Sequence, residues 1–199
     1  RLRFQLKTYD VLFELTDRCV AVSSKYGFPI WQALATMIRG QAMVATGDVD
    51  AGIALVDKTL GAYQARGAGL SLPYYLGLYA DALERHHRLD ESKGAMRQAL
   101  DAAHRQGAHT ERAELLRIQA ILSWRRGEFE AAERGLKAAL ELAEAQGARS
   151  FALAAATSLS TYLTEKGRAD EGRHILEPVY ASFSEGFETP ALQAASALL

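Results

Sequence analysis

Apolar residues recur along this chain at the three-to-four-residue spacing of a helix, and the phase of that stripe repeats every 40 residues. The stretch 129–147 shows it most clearly. Phe129, Ala132, Leu136, Ala139, Leu140 and Ala143 fall on one face, and Glu130, Glu133, Arg134, Lys137 and Glu141 fall on the other. Glu133 is thereby assigned to an outer, solvated face, where replacing it by Leu should leave stability almost unchanged. Strands have no comparable support in the pattern.

Two sets of columns punctuate the stripe. Gly27, Gly67, Gly107 and Gly147 each close an apolar-periodic stretch, and Gly186 follows one residue early. A left-handed helix end accepts glycine without steric cost, so these read as helix C-termini. A second column, Gly47, His87, Gly127 and Gly167, marks a turn inside each period. Three residues after it comes an acid, in the column Asp10, Asp50, Asp90, Glu130 and Asp170, which suits the first turn of a helix, where free N–H groups and the positive dipole end favour a carboxylate. Each period therefore contains two helices and two turns.

Helix backbones approach closely only where side chains are small. Gly40, Ala80, Ala120 and Ser160 form one small column, and Gly52, Ser92, Ala132 and Gly172 another. The expected organisation is a single domain over 1–199: a lone second helix at about 9–26, helix pairs at about 28–66, 68–106, 108–146 and 148–185, and a last helix at about 190–199. Because the first helix lacks a partner of its own pair, Tyr9, Leu12, Leu15 and Val22 are expected to expose an apolar edge that self-associates or is covered by another copy. The fold class is all-α, a right-handed solenoid of antiparallel helix pairs.

The order small residue, turn glycine, aromatic residue, small residue, seen in Ala120, Gly127, Phe129, Ala132 and Ala139, resembles the tetratricopeptide pattern. That family's repeat is about 34 residues, so each helix here is nearly a turn longer, as in repeats similar to the sensor region of bacterial maltose-type transcription activators. Five segments resemble more closely the C-terminal repeat region of large bacterial signalling proteins: KYGFPIWQALATMIRGQA at 25–42, LPYYLGLYADAL at 72–83, AELLRIQAIL at 113–122, AAATSLSTYL at 154–163 and LEPVYASFSEGFETP at 176–190. In those proteins a class III nucleotide cyclase or a winged-helix domain precedes a signal-transduction ATPase and then the repeats. The last segment is the most specific, through Leu176, Pro178, Tyr180, Phe183, Glu185, Gly186, Phe187, Thr189 and Pro190. His87 departs from the pattern where a glycine turn is usual. The resemblance implies a cytoplasmic regulatory module of signal transduction or transcription regulation, with any ATPase or cyclase activity outside these residues.

Composition narrows the partners. Lys plus Arg total 23 against 24 for Asp plus Glu, a formal charge of -1 in mixed short runs, with no basic stripe for a phosphate backbone. Nucleic acid is not expected as a partner. The longest uncharged run, the 15 residues between Arg149 and Glu165, is too short and too rich in Ser and Thr for a bilayer span. The one cysteine, Cys19, fits a reducing compartment and shares a packing column with Thr59, Ala99, Ala139 and Val179. The opening Arg1-Leu2-Arg3 has neither an initiator Met nor a signal-peptide layout, which reads as a fragment of a longer chain.

No nucleophile-base constellation, metal-ligand spacing or phosphate loop stands in the sequence, so no catalytic residue, metal site or cofactor is expected. His86 and His87 are adjacent, and His104, His109 and His174 stand apart. Binding residues follow from the columns, since in tetratricopeptide-like stacks first helices line the concave side. Gln41 and Asp81 follow the small column by one residue, and Arg117 precedes it by three. Asp81 and Arg117 are expected as near neighbours, with Arg85, Glu114 and Trp124 at the margin and Tyr74 as an aromatic wall. The bland reading of the charges is a solvated pair, and that of Tyr74, Tyr75 and Tyr79 is core packing. The expected function is recognition of a peptide, a partner protein or the ATPase or effector domain of the same chain. The alternative is a small-metabolite sensor in the same groove.

Overall fold

The computed structural model describes residues 9–67, 69–106 and 109–199. Of these, 83% are helical and none is in a strand. Among the described residues ten helices follow one another: α1 (Tyr9–Tyr26), α2 (Pro29–Thr46), α3 (Val49–Ala65), α4 (Leu72–Arg85), α5 (Leu89–Gln106), α6 (His109–Arg125), α7 (Phe129–Ala145), α8 (Arg149–Glu165), α9 (Ala169–Ala181) and α10 (Pro190–Ser196). The chain divides into two compact units, Arg1–Ala102 and Ala103–Leu199, with the boundary inside α5.

The helix ends explain the glycine spacing. At Gly47 the backbone turns left-handed, with φ 105°, and the Asp48 N–H reaches back to the Met43 carbonyl at 2.9 Å. That six-residue closure satisfies a terminal carbonyl that the helix itself leaves free. His87 adopts the same conformation, φ 59°, and the Arg88 N–H closes on the Leu83 carbonyl at 2.9 Å. Histidine tolerates this region better than a β-branched residue does, so the turn survives the departure from glycine. The column of acids lies in the first turns of α1, α3, α5, α7 and α9.

In the N-terminal unit α2 packs on α1, α3 and α4, and α3 packs on α4. Gly40 and Gly52 set the α2–α3 crossing: a Cβ at Gly52 would lie 2.7 Å from the Gly40 carbonyl oxygen and 2.9 Å from the Val44 nitrogen. At the α4–α5 crossing the Ser92 hydroxyl donates to the Ala80 carbonyl at 2.9 Å. Tyr63, buried in α3, donates to the Leu70 carbonyl at 3.0 Å and so pins the start of α4. Burial first, and then the nearby Asp57 carboxylate that accepts its hydroxyl at 3.1 Å, raise the pKa of Tyr79 above the usual phenol range.

The C-terminal unit repeats the scheme. α7 packs on α6 and α8, α8 packs on α9 and α10, and α6 touches α8 directly. A Cβ on Gly135 of α7 would lie 2.8 Å from the Ala120 Cβ of α6, and one on Gly172 of α9 would lie 2.9 Å from the Ser160 hydroxyl of α8. The core is closed by the fully buried Leu136, Leu159, Leu163 and Leu176.

Glu133 differs from its sequence expectation. Its carboxylate is largely covered and accepts from Arg168 at 2.8 and 3.1 Å and from Lys137 at 2.8 Å. A helical wheel of α7 alone misses this because Arg168 arrives from the α8–α9 turn. The hydrogen bonds from Arg168 and then Lys137 hold the Glu133 pKa down to about 2, against about 4.3 for an unpaired Glu. A depressed carboxylate contributes stability that is fully present above the unfolded value and lost as pH falls through the folded one. Glu133→Gln is therefore expected to show a small stability deficit above about pH 4.5 that shrinks as pH falls towards 2. Urea titrations across that range check this, and a deficit independent of pH contradicts it.

Candidate binding cavity

The helices of the N-terminal unit leave a cavity of about 350 Å³ between α1, α2 and the start of α4. From α1 come Leu12, Leu15, Thr16 and Cys19, from α2 Trp31, Leu34, Ala35 and Ile38, and from the start of α4 Leu70, Ser71 and Tyr75. The α1 residues recur at three- and four-residue steps, as do those of α2, so each helix turns one continuous stripe inward. Ser71 sits left-handed at φ 53° just before α4, where the chain turns under Leu70.

Leu34 and Ala35 hold the positions that carry Tyr74 and Tyr75 in the next repeat, 40 residues on. Both tyrosines are buried, with their rings edge to face at 5.7 Å. Leu34 and Ala35 are the smaller pair, and both form part of the cavity wall.

The cavity's polar atoms are largely engaged within the protein. The Thr16 hydroxyl donates to the Phe13 carbonyl at 2.9 Å, and the Cys19 sulfur lies 3.9 Å from both the Ser23 hydroxyl and the Trp31 carbonyl. Its rim, in contrast, is open and apolar: Leu15 is 43%, Trp31 57% and Leu70 55% exposed. Val11, Val22, Tyr26, Phe28 and Ile30 extend the exposed apolar surface along α1 and into α2. Such a surface takes up apolar groups, and a volume of this size lies at the lower end of ligand pockets.

No protein-family model matches this chain, and no curated protein matches it. Among the described residues no group of three His, Cys, Asp or Glu side chains is placed to hold a metal ion, and no helix is long and apolar enough to cross a membrane.

The residues that the columns place on the concave face occupy several environments. Gln41 is buried at 5% exposure in α2, and its Nε2 has no partner among the described residues. Tyr74 is equally enclosed. Asp81 accepts from Arg85 at 2.9 Å, one turn along α4. Glu114 and Arg117 form a two-pronged pair on α6 at 2.7 and 2.8 Å, and Arg117 reaches the Ser158 hydroxyl of α8 at 3.2 Å. Trp124 stacks edge to face on Tyr162, centroids 5.2 Å apart. Arg117, Glu114 and Ser158 thus come together, and Asp81 with Arg85, each set within its own unit.

The apolar edge expected on α1 is present in part. Leu15 and Val22 are exposed, Tyr9 is half-buried, and Leu12 is buried in the cavity wall. Helical spacing on α1 marks these residues as one apolar set, but which of them is covered depends on α2 and α4, which no single-helix pattern contains.

Proposed function

We propose that this chain is a helical-repeat recognition module that seats an apolar segment of a protein partner on α1 and α2, with one large side chain in the cavity. The observation that carries the reading is the combination of an apolar cavity with an apolar rim that extends well past it. A small polar metabolite needs convergent polar groups, whereas Thr16 and Cys19 already spend theirs internally. A peptide or helix uses the extended apolar surface as well as the hole.

The 40-residue tetratricopeptide-like repeat and the resemblance to the C-terminal regions of bacterial signalling proteins support a regulatory, non-catalytic and cytoplasmic role. The partner is then a separate protein or the ATPase or effector domain of a longer chain. The Glu114–Arg117–Ser158 set favours a second reading, in which these side chains of α6 and α8 orient a polar group.

The two tryptophans lie in different units, so Trp124→Phe leaves Trp31 as the reporter at the cavity rim. A short peptide bearing Leu and Phe is expected to shift the Trp31 emission to the blue in a saturable way. Ala35→Tyr, which places in α2 the residue that the next repeat carries, is expected to weaken that binding at least tenfold while leaving the melting temperature nearly unchanged. Equal binding by Ala35→Tyr removes the cavity from the site.

A further inference from the structure

The repeat register shows what kind of element fits the cavity. In the C-terminal unit one helix, α6, touches two neighbours at defined columns. Its Ala120 faces Gly135 of α7 so closely that an added Cβ on that glycine would lie 2.8 Å away, and its Arg117 reaches Ser158 of α8 at 3.2 Å. Counted back by whole repeats of 40, Gly135 corresponds to Leu15 of α1, and Ser158 corresponds to Ile38 of α2. Leu15 and Ile38 are both walls of the cavity.

The two positions that α6 covers in its own repeat are therefore the two positions that, among the described residues, border the open space around α1 and α2. We infer that the cavity is the seat of an amphipathic helix running antiparallel to α1, placed on α1 and α2 as α6 is placed on α7 and α8. The inference rests on reading the cavity as a binding seat and adds the conformation and the side-chain requirement of the occupant.

The requirement follows from size. Where Gly135 meets Ala120, both residues are small, and two helix backbones come close only on such terms. Leu15 is much larger than glycine, so the occupant must present Gly, Ala or Ser opposite it. Apolar residues one turn to either side then cover Leu34 and Leu70. An extended peptide satisfies neither condition, because its side chains alternate faces every residue and cannot keep one stripe on α1 and α2.

A fluorescein-labelled synthetic peptide of residues 109–125, the α6 sequence, serves as the probe against the whole chain. Saturable binding in fluorescence anisotropy is expected, with a gain of helical circular dichroism in the mixture. Ala120→Leu in the peptide is expected to weaken binding at least tenfold, and Ile118→Pro, which breaks the helix, to weaken it similarly. Leu15→Lys in the chain is expected to weaken the unmodified peptide at least tenfold, and its exposed position keeps the fold intact. Equal affinity for the Pro peptide overturns the helical occupant while leaving the cavity as an apolar peptide site. A chain that binds no peptide but is dimeric in sedimentation, and becomes monomeric with Leu15→Lys, assigns the seat to a second copy instead. Absence of both binding and self-association overturns the inference, and if the Leu- and Phe-bearing peptide also fails to shift Trp31, it overturns the binding role of the cavity with it.

Discussion

Gly52→Val is expected to destabilise the N-terminal unit by about 3 kcal/mol, at the upper end of overpacking costs. Gly52 lies where α3 crosses α2, and a Cβ there meets not a flexible side-chain tip but backbone, the Gly40 carbonyl oxygen at 2.7 Å and the Val44 nitrogen at 2.9 Å. Relief requires the two helices to separate, which opens contacts around the buried Val56 and Ile53. Gly61 in the same helix supplies the contrast. Nothing lies within 4 Å of its added Cβ, so Gly61→Ala is expected to stabilise by about 0.5–1 kcal/mol through helix propensity and unfolded-state entropy. Urea denaturation followed through Trp31 in a Trp124→Phe background reads this unit. Similar midpoints for Gly52→Val and Gly61→Ala contradict the close crossing.

Ala120→Leu is the matching test of the C-terminal unit. Ala120 is buried on α6, and the 2.8 Å that would separate its Cβ from one on Gly135 leaves no room for three further carbons. The expected cost is about 1–3 kcal/mol. Ala138→Leu, on the exposed face of α7, is expected to stay within about 0.5 kcal/mol of the parent. Trp124, packed on Tyr162 of α8, reports the unfolding of this unit. Equal melting temperatures for parent and Ala120→Leu argue against the register of the small columns.

These crossings were legible in the sequence because the requirement is simple. Two backbones in contact exclude side chains, and the exclusion recurs every 40 residues as Gly40, Ala80, Ala120 and Ser160. The turns were legible for the same reason, through a backbone conformation that favours glycine at Gly47 and that His87 nonetheless adopts. What one helix stripe does not carry is the contribution of a residue from elsewhere in the chain. Glu133 looks solvated on α7 until Arg168 reaches it from the α8–α9 turn. Leu12 and Leu15 look equivalent on α1, yet one is buried and the other exposed.

The cavity was harder to read for a related reason. Its walls consist of ordinary core residue types, Leu34, Ala35 and Ile38 among them, so nothing in the apolar stripe itself marks an unfilled space. The small columns mark Gln41, Asp81 and Arg117 by position, and Arg85 and Glu114 lie beside them. Charge is conspicuous in a sequence, whereas an uncovered apolar surface becomes visible only once the neighbouring helices are in place.

Methyl-resolved NMR of the whole chain decides where an apolar partner segment binds. With Leu, Ile and Val methyl groups labelled, the chain is titrated with the α6-sequence peptide and shift changes are mapped onto residues. Changes concentrated at Leu15, Leu34, Ile38 and Leu70, the walls and rim of the cavity, are expected. Changes concentrated instead at Leu116 and Ile121 of α6, with the cavity methyls unmoved, contradict binding at the cavity and place recognition beside Glu114 and Arg117.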